Sequence, residues 1–172
     1  MKLLYSYSFG GTDGQYHYND TWAFDLNTRQ WAELQCIGFI PSPREGHAAA
    51  LVDDVVYVFG GRGVDGKDLG DLAAFKISSA QISTIVDHPM TFLLDQRWYM
   101  FQNMGPSPSG RSGHAMASVG AKVFVLGGES FTPSKADDPS VIHVLDTSSF
   151  LLLYPFYVDL TVLSLIRTHQ IS

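Results

Sequence analysis

The stretch that decides the fold is DVVYVFGG, residues 54–61, a run of β-branched and aromatic residues that ends in two glycines. Such residues favour an extended strand, and a glycine allows the positive φ or the close backbone approach that a tight turn requires. The pattern recurs as LYSYSFGG at residues 4–11 and as AKVFVLGG at residues 121–128. The sequence therefore predicts three copies of one unit, each a buried strand that ends in a glycine turn.

A second landmark lies before these strands and supports the same register. PSPREGH at residues 41–47 recurs as PSPSGRSGH at residues 106–114. Arg111 follows Arg44 by 67 residues, and Gly128 follows Gly61 by the same interval. Two independent landmarks thus place the second and third units in one alignment.

A third landmark follows the glycines. NDTWAFDLNTRQW at residues 19–31 corresponds to GDLAAFKIS at 70–78 with QRW at 96–98, and in part to PSVIHVLDTSS at 139–149. Each unit is predicted to hold an inner strand, the Gly-Gly strand, a third strand and a tryptophan-bearing fourth strand. Repeated four-stranded antiparallel sheets with a basic period of 50 residues, the interval from Gly11 to Gly61, are typical of a β-propeller.

These residues resemble the kelch-repeat family, over positions 3–78 and 96–148. The resemblance rests on the Gly-Gly pairs, the R-x-G-H motifs and the fourth-strand tryptophans, namely Gly10, Gly11, Gly60, Gly61, Gly127, Gly128, Arg44, His47, Arg111, His114, Trp31 and Trp98. It implies an all-β fold, a partial kelch β-propeller of about two and a half four-stranded antiparallel blades. An unclosed stack of this kind exposes an apolar blade face and sheet edges, so self-association through the open face is expected.

The repeat region is predicted to span residues 1–148, with blades at 3–34, 44–101 and, in part, 111–148. The second unit is 17 residues longer than the first, and the excess is placed at 79–95. That segment and the apolar tail, 149–172, do not follow the pattern. Two interpretations stand side by side: translated non-coding sequence, or genuine additions in the form of a hydrophobic flap and a C-terminal element.

Several functions are disfavoured by composition. The 11 Lys and Arg residues stand against 17 Asp and Glu residues, and the net charge of −6 disfavours nucleic acid as a partner. The N-terminus lacks the apolar core of a signal peptide, and Cys36 is the single cysteine, so a cytoplasmic protein is expected. The apolar run at 150–166 contains Pro155 and Asp159 and is short for a membrane span, so no span is expected.

Enzymatic chemistry is also disfavoured, and no cofactor is expected. Gly61, Gly63 and Gly66 match G-x-G-x-x-G, but the sequence after Gly66 predicts a short strand where a dinucleotide site needs a helix. The copper-radical oxidases of the family need a tyrosine crosslinked to a cysteine, together with two histidine ligands. Cys36 lies just after a fourth strand, and no plausible histidine pair accompanies it. The iron-dependent specifiers need E-x-x-x-D-x-x-x-H, and Pro133 stands where the aspartate after Glu129 should be.

The charged and aromatic repeat residues have structural interpretations. His47 and His114 share one repeat position, which favours a repeated structural role over metal ligation. Arg44 and Arg111 are expected to donate to backbone carbonyls or to line the channel, with a shared anion site as the second alternative. Trp22, Trp31 and Trp98 are expected to pack between sheets.

The loops after the Gly-Gly pairs vary between units and are the predicted partner-binding surface. Their candidate contact residues are Tyr16, Tyr18, Arg62, Lys67, Phe131 and Lys135. In NDTWAFDL (19–26), REGHAAALVDDVVYVFGGRG (44–63) and GRSGHAM (110–116), the sequence resembles fungal kelch proteins that mark growing cell ends. The resemblance implies a non-enzymatic scaffold for polarity or cytoskeletal proteins, at the cell cortex or tip. The alternatives are a fragment of a kelch enzyme or metal-dependent specifier, and a substrate adaptor of a ubiquitin ligase.

Overall fold

The computed structural model describes residues 5–77, 96–101, 107–130 and 142–148. These ranges contain strands and turns and no helix. The strands, in chain order, are β1 (Tyr5–Thr12), β2 (His17–Asp25), β3 (Gln30–Glu33), β4 (Ile37–Gly38), β5 (Arg44–Glu45), β6 (Ala48–Val52), β7 (Val55–Phe59), β8 (Arg62–Gly63), β9 (Leu72–Lys76), β10 (Arg97–Phe101), β11 (Ala115–Val119), β12 (Lys122–Leu126) and β13 (Ile142–Asp146). The predicted insertion at 79–95 and tail at 149–172 lie outside the described residues, and the blade boundaries stay a prediction.

The first sheet contains β1, β2 and β3 in that order, all antiparallel. Its ladder pairs Ser6 with Phe24 and Phe24 with Trp31. Residues directly opposite one another share a face of the sheet, so these three lie on one side. Tyr5, Tyr7 and Phe9 alternate with the serines and lie on the other side.

The second sheet has the order β4-β10-β9-β7-β6. Its strands β6, β7, β9 and β10 form the predicted four-stranded antiparallel unit. The sequence did not predict β4, which pairs parallel to β10 outside the unit. The amides of Ile37 and Phe39 donate to the carbonyls of Gln96 and Trp98, each at 3.0 Å.

The third sheet joins β11, β12 and β13, and a short ribbon joins β5 to β8. The register of the inner strand is the same in the second and third sheets. Ala48 stands opposite Phe59, and Ala115 stands opposite Leu126. The fold is therefore all-β, a partial propeller of about two and a half antiparallel blades, as the sequence predicts.

The core consists of two layers, one on each face of the second sheet. One layer centres on the buried side chains Val58, Ala73, Phe75 and Trp98, against which Tyr7 and Phe9 of the first sheet pack. The other layer joins residues of the second sheet to Val123 of the third. The second sheet is thus covered on both faces by its neighbours, which is how repeat units that cannot bury a core alone become stable.

Trp98 is the largest side chain of this core. It is 1% exposed, its ring lies 4.7 Å from that of Phe9, and its Nε1 donates to Oγ1 of Thr21 at 3.1 Å. For Trp31 the prediction of packing between sheets is wrong, because this side chain is 56% exposed. Trp31 contacts Phe24 at a ring distance of 5.0 Å, and among the described residues no other sheet covers that face.

Candidate functional site

The loop after the first Gly-Gly is a short turn held by Asp13. Its Oδ1 accepts from the amides of Gln15 and Tyr16 at 2.8 and 2.7 Å, and its Oδ2 accepts from the Tyr18 hydroxyl at 2.8 Å. Thr12 Oγ1 donates to the Tyr16 carbonyl at 2.7 Å. The side chains of Tyr16 and Tyr18 remain 66% and 40% exposed. The turn therefore presents two aromatic rings to solvent, with the backbone of Tyr16 and the hydroxyl of Tyr18 held by Asp13.

The charges of this loop reflect the same hydrogen bonds. The amides of Tyr16 and Gln15, together with the Tyr18 hydroxyl, lower the pKa of the Asp13 carboxyl. The carboxylate in turn raises the pKa of Tyr18, because it accepts a hydrogen bond from the protonated phenol. At neutral pH the loop therefore carries the Asp13 carboxylate beside the neutral phenol of Tyr18.

The loop after the second Gly-Gly holds the predicted contacts Arg62 and Lys67. Lys67 Nζ lies 3.0 Å from Oδ2 of Asp65, and its side chain is 71% exposed. Arg62 does not match the exposed position predicted for it: its side chain is 29% exposed, and its Nη2 lies 3.4 Å from Asp68 Oδ1. The cause is the Asp68 carboxylate, whose side chain is fully buried and holds Arg62 against the sheet.

These loops adjoin one another. His17 Nε2, beside the first loop, lies 3.4 Å from Oε1 of Glu45, and the backbone of Glu45 pairs with Arg62 of the second loop. Ser112 Oγ donates to Asp68 Oδ1 at 3.1 Å, which ties the second loop to the third unit. The result is one continuous surface, called here the loop surface, formed by residues 12–18, 45, 62–68 and 112. Phe131 and Lys135, also predicted there, lie outside the described residues.

The glycine pairs and the histidines explain how successive sheets meet. A Cβ at Gly10 would lie 3.2 Å from the Arg44 carbonyl oxygen, and one at Gly60 would lie 2.6 Å from the Arg111 carbonyl oxygen. In the first and second pairs, the first glycine therefore admits the backbone of the next unit. His114 Nε2 lies 3.0 Å from the Phe59 carbonyl oxygen, and its ring meets that of Phe59 edge-on at 5.6 Å.

His47 repeats this arrangement one unit earlier. Its ring meets that of Phe9 edge-on at 5.4 Å. Burial is the main cause that lowers the pKa of His47, with the charge of Arg44 adding to it and a hydrogen bond to the Phe9 backbone opposing it. Burial likewise lowers the pKa of His114. Both imidazoles are therefore neutral at pH 7, and each bridges two sheets through a carbonyl.

The arginines of the R-x-G-H motifs bind within their own unit. Arg44 is 1% exposed; its Nη1 donates to the Gly60 carbonyl at 3.0 Å, and both Nη atoms donate to Asp71 at 2.8 Å. Arg111 Nη1 donates to the Gly127 carbonyl at 2.9 Å, and its Nη2 lies 3.2 Å from His143 Nε2. Each guanidinium thus has its own partners, and the two do not form a shared anion site.

Three acidic residues that organise this surface were not singled out from the sequence. Asp13 shapes the first loop, Asp68 anchors the second, and Asp71 holds Arg44. The sequence held a signal for Asp71, because Asp20 stands at the corresponding position of the first unit, in NDTWAF against GDLAAF. No sequence signal identified Asp68, because its role depends on Ser112 in another unit.

The sequence features that could suggest an enzyme lie in structural contexts that differ from those of the corresponding enzyme sites. After Gly66 the described chain continues into β9, so a strand stands where a dinucleotide site needs a helix N-terminus. Burial raises the pKa of the Cys36 thiol, which keeps it protonated at neutral pH. Across the described ranges, no three His, Cys, Asp or Glu side chains cluster as a metal site would require. In the same ranges no helix is long and apolar enough to cross a membrane, and the apolar run at 150–166 falls outside them.

Comparison with known proteins matches residues 4–128 to the KLHDC2/KLHL20/DRC7 Kelch-repeats domain. The chain is 36% identical over 124 residues to Tip elongation aberrant protein 1 of Schizosaccharomyces pombe, covering 71% of this chain and 10% of that protein. It is 44% identical over 150 residues to Tip elongation aberrant protein 3 of the same yeast, covering 76% and 13%. It is also 31% identical over 121 residues to the Rab9 effector protein with kelch motifs of Bos taurus, covering 70% and 29%.

The chain therefore spans between about a tenth and a third of these relatives. The matched residues contain the Gly-Gly strands, the R-x-G-H motifs and both fourth-strand tryptophans, and the contacts of Trp98 and of the motif histidines join the sheets. The family model covers well over half of the chain. The chain belongs to the kelch-repeat family.

Proposed function

We propose that this chain is part of a non-enzymatic kelch scaffold that binds proteins through the loop surface and acts in cell polarity and cytoskeletal organisation. The observation that carries the proposal is the pair of exposed rings, Tyr16 and Tyr18, held in a hydrogen-bonded turn on a stacked sheet. Tyrosines on a backbone held in this way offer a large amphipathic contact area at low entropic cost.

The electrostatics of the loop surface support a protein partner. Carboxylates outnumber cations among its residues, with Asp13, Glu45, Asp65 and the buried Asp68 against Arg62 and Lys67. Arg62 and Lys67 are each paired with one of these acids. A basic or mixed protein surface complements this arrangement, whereas a phosphate backbone does not.

The relatives support the cellular context. Two are named for aberrant tip elongation and one as a Rab9 effector, and none of these three names describes an enzyme. We propose that the complete protein acts at the cell tip or cortex and that its partners are polarity or cytoskeletal proteins.

Site-specific photocrosslinking tests the loop surface. The photoreactive residue benzoyl-phenylalanine replaces Tyr16 or Tyr18 in the complete protein, which is expressed in its native cells. The matched control carries the same group at Leu26, which is 46% exposed and follows the far end of β2. We expect a discrete protein adduct, identified by mass spectrometry as a polarity or cytoskeletal component, from positions 16 and 18 only. Adducts that are equally strong at position 26, or the lack of any adduct at 16 and 18, would contradict the proposal.

A second contact of this scaffold is self-association through the open face of the first sheet. Trp31 on that face is 56% exposed and contacts Phe24 in a tilted ring pair. Trp98 and Phe75 form the same kind of pair where a sheet covers them. Sedimentation velocity of the chain and of its Trp31→Glu variant measures this contact. Association that is unchanged in the variant would refute it.

A further inference from the structure

Ser42 is an exposed serine in the segment that connects the first sheet to the second. The chain reads PSPREGH at residues 41–47, and residues 39–43 belong to no strand. A proline disfavours helical backbone in the residue before it, so Pro43 favours an extended Ser42. Proline-directed protein kinases bind extended segments and select a serine by the proline that follows it. The segment therefore presents a hydroxyl group in the form that such a kinase requires.

The Ser42 hydroxyl lies against the guanidinium of Arg44. Arg44 Nη2 donates to Ser42 Oγ at 3.2 Å, and Nε donates to the Ser42 carbonyl at 3.0 Å. Nη1 donates to the Gly60 carbonyl, and both Nη atoms donate to the Asp71 carboxylate at 2.8 Å. These contacts use all the N–H donors of a guanidinium. Since Ser42 Oγ and Asp71 Oδ2 share Nη2, a phosphate on Ser42 would lie beside the Asp71 carboxylate.

We propose that Ser42 is a phosphorylation site for a proline-directed protein kinase and that its phosphate displaces Asp71 from Arg44. Ser42 Oγ attacks the γ-phosphorus of ATP and forms a new O–P bond. The bond between this phosphorus and the bridging oxygen of ADP breaks, ADP leaves, and the hydroxyl proton passes to a base of the kinase. The product carries nearly two negative charges and three acceptor oxygens, so it binds the guanidinium more strongly than one carboxylate does and also repels that carboxylate.

The expected consequence is a change in the loop surface. Glu45 of that surface directly follows Arg44, and Asp71 lies three residues after Asp68 at the end of the second loop. The Arg44–Asp71 pair holds these two segments together, and phosphorylation releases it. The modification site itself is independent of the proposed function, because it requires no partner on the loop surface.

Two serines of the third unit separate the requirements that Ser42 combines. Ser109 has the same arginine contacts, since Arg111 Nη2 donates to its Oγ and Nε to its carbonyl, both at 3.1 Å. Gly110 follows it, however, in place of a proline. Ser107 is exposed and precedes Pro108, but it lies in a different unit from Arg44. Ser109 therefore tests recognition by the kinase, and Ser107 tests the effect of a phosphate away from Arg44.

The first measurement locates and times the modification. The full chain is incubated with ATP and a proline-directed kinase, and mass spectrometry follows each serine. The peptide GFIPSPREG, a copy of residues 38–46, gives the rate for an unfolded substrate. We expect phosphate on Ser42 and Ser107 but not on Ser109, with Ser42 of the folded chain reacting within about 10-fold of the peptide rate, whereas reaction through global unfolding would be about 1,000-fold slower or more. A rate that low, or modification of Ser107 alone, would overturn the proposal.

The second measurement asks whether the phosphate engages Arg44. In the unmodified chain Asp71→Asn should lower the folding equilibrium constant by about 10-fold or more, because Arg44 loses its charged partner. In a Ser107→Ala chain phosphorylated at Ser42, the same substitution should change the constant by less than about 2-fold. A Ser42→Ala chain phosphorylated at Ser107 is the matched control and should show the full loss. Equal losses with and without phosphate on Ser42 would also overturn the proposal, and the kinase measurement stays decisive if Asp71→Asn fails to fold.

Discussion

Replacing Gly60 with alanine tests how closely the third sheet must approach the second, and Gly127→Ala is its matched control. Both residues are the first glycine of a pair, with φ of +67° and +63°. A Cβ at Gly60 would lie 2.6 Å from the Arg111 carbonyl oxygen and 2.8 Å from Cε1 of His114, whereas a Cβ at Gly127 meets nothing within 4 Å. The two variants thus share the backbone strain and differ in the clash.

The expected losses follow from these distances. A non-glycine residue in the left-handed region costs about 1–2 kcal/mol, and the lower entropy of the unfolded chain offsets about 0.4–1 kcal/mol of that cost. Gly127→Ala should therefore lower the free energy of unfolding by about 1 kcal/mol. At Gly60 overpacking against a backbone oxygen adds about 1–3 kcal/mol, for a total loss of about 2–4 kcal/mol.

Urea unfolding followed by tryptophan fluorescence measures both losses. Trp98 is 1% exposed between the first two sheets, so its emission reports the loss of the stack. The difference between the variants should be about 2 kcal/mol. Equal losses in the two variants would refute the conclusion that the first glycine of the pair is required by the next unit, and would leave backbone strain as the whole effect.

Three further predictions concern buried polar groups. Burial lowers the pKa of His47 and His114. Below the ordinary histidine pKa of about 6.5 the unfolded chain therefore binds more protons than the folded chain, and stability falls as the pH falls. The urea midpoint should drop between about pH 7.5 and about pH 5.5, and replacing both histidines with glutamine should reduce this pH dependence. A double-mutant cycle of Arg44→Met and Asp71→Asn should give a coupling of about 2 kcal/mol, and a value below about 0.5 kcal/mol would contradict the role of the pair. Burial raises the pKa of Cys36, so a thiol reagent at pH 8 should label the folded chain at least about 10-fold more slowly than the chain in urea, and equal rates would contradict its burial.

The repeat could be predicted from the sequence because its landmarks are local. A run of β-branched and aromatic residues followed by Gly-Gly predicts β7 and its turn, and the same sequence pattern predicts β1 and β12. The partner of Arg44 could also be predicted, since Asp71 and Asp20 occupy matching positions in the second and first units. Aligning the acids as well as the glycines would have identified it.

Other features depend on contacts between distant residues and have no local signal. Strand β4 has only two residues, and it forms by pairing with the backbone of β10, the strand that contains Trp98. The burial of Asp68 requires Ser112, 44 residues later. Trp31 and Trp98 have the same local pattern, yet one is exposed and the other buried because a sheet covers only the second among the described residues.

The face that leaves Trp31 exposed differs in chemistry from its covered counterpart. Ser6 and Ser8 stand on it where the second sheet has Val56 and Val58, as the ladders with Phe24 and Phe75 show. Both serines are exposed, and Val58 is 1% exposed. Hydroxyl groups reduce the apolar area that this face presents to water and also lower the affinity of a purely apolar partner for it. A protein that covers the first sheet must therefore offer hydrogen bonds to the serine pair beside an apolar group for Trp31, and this combined requirement makes the face more selective than the valine-lined contact within the chain.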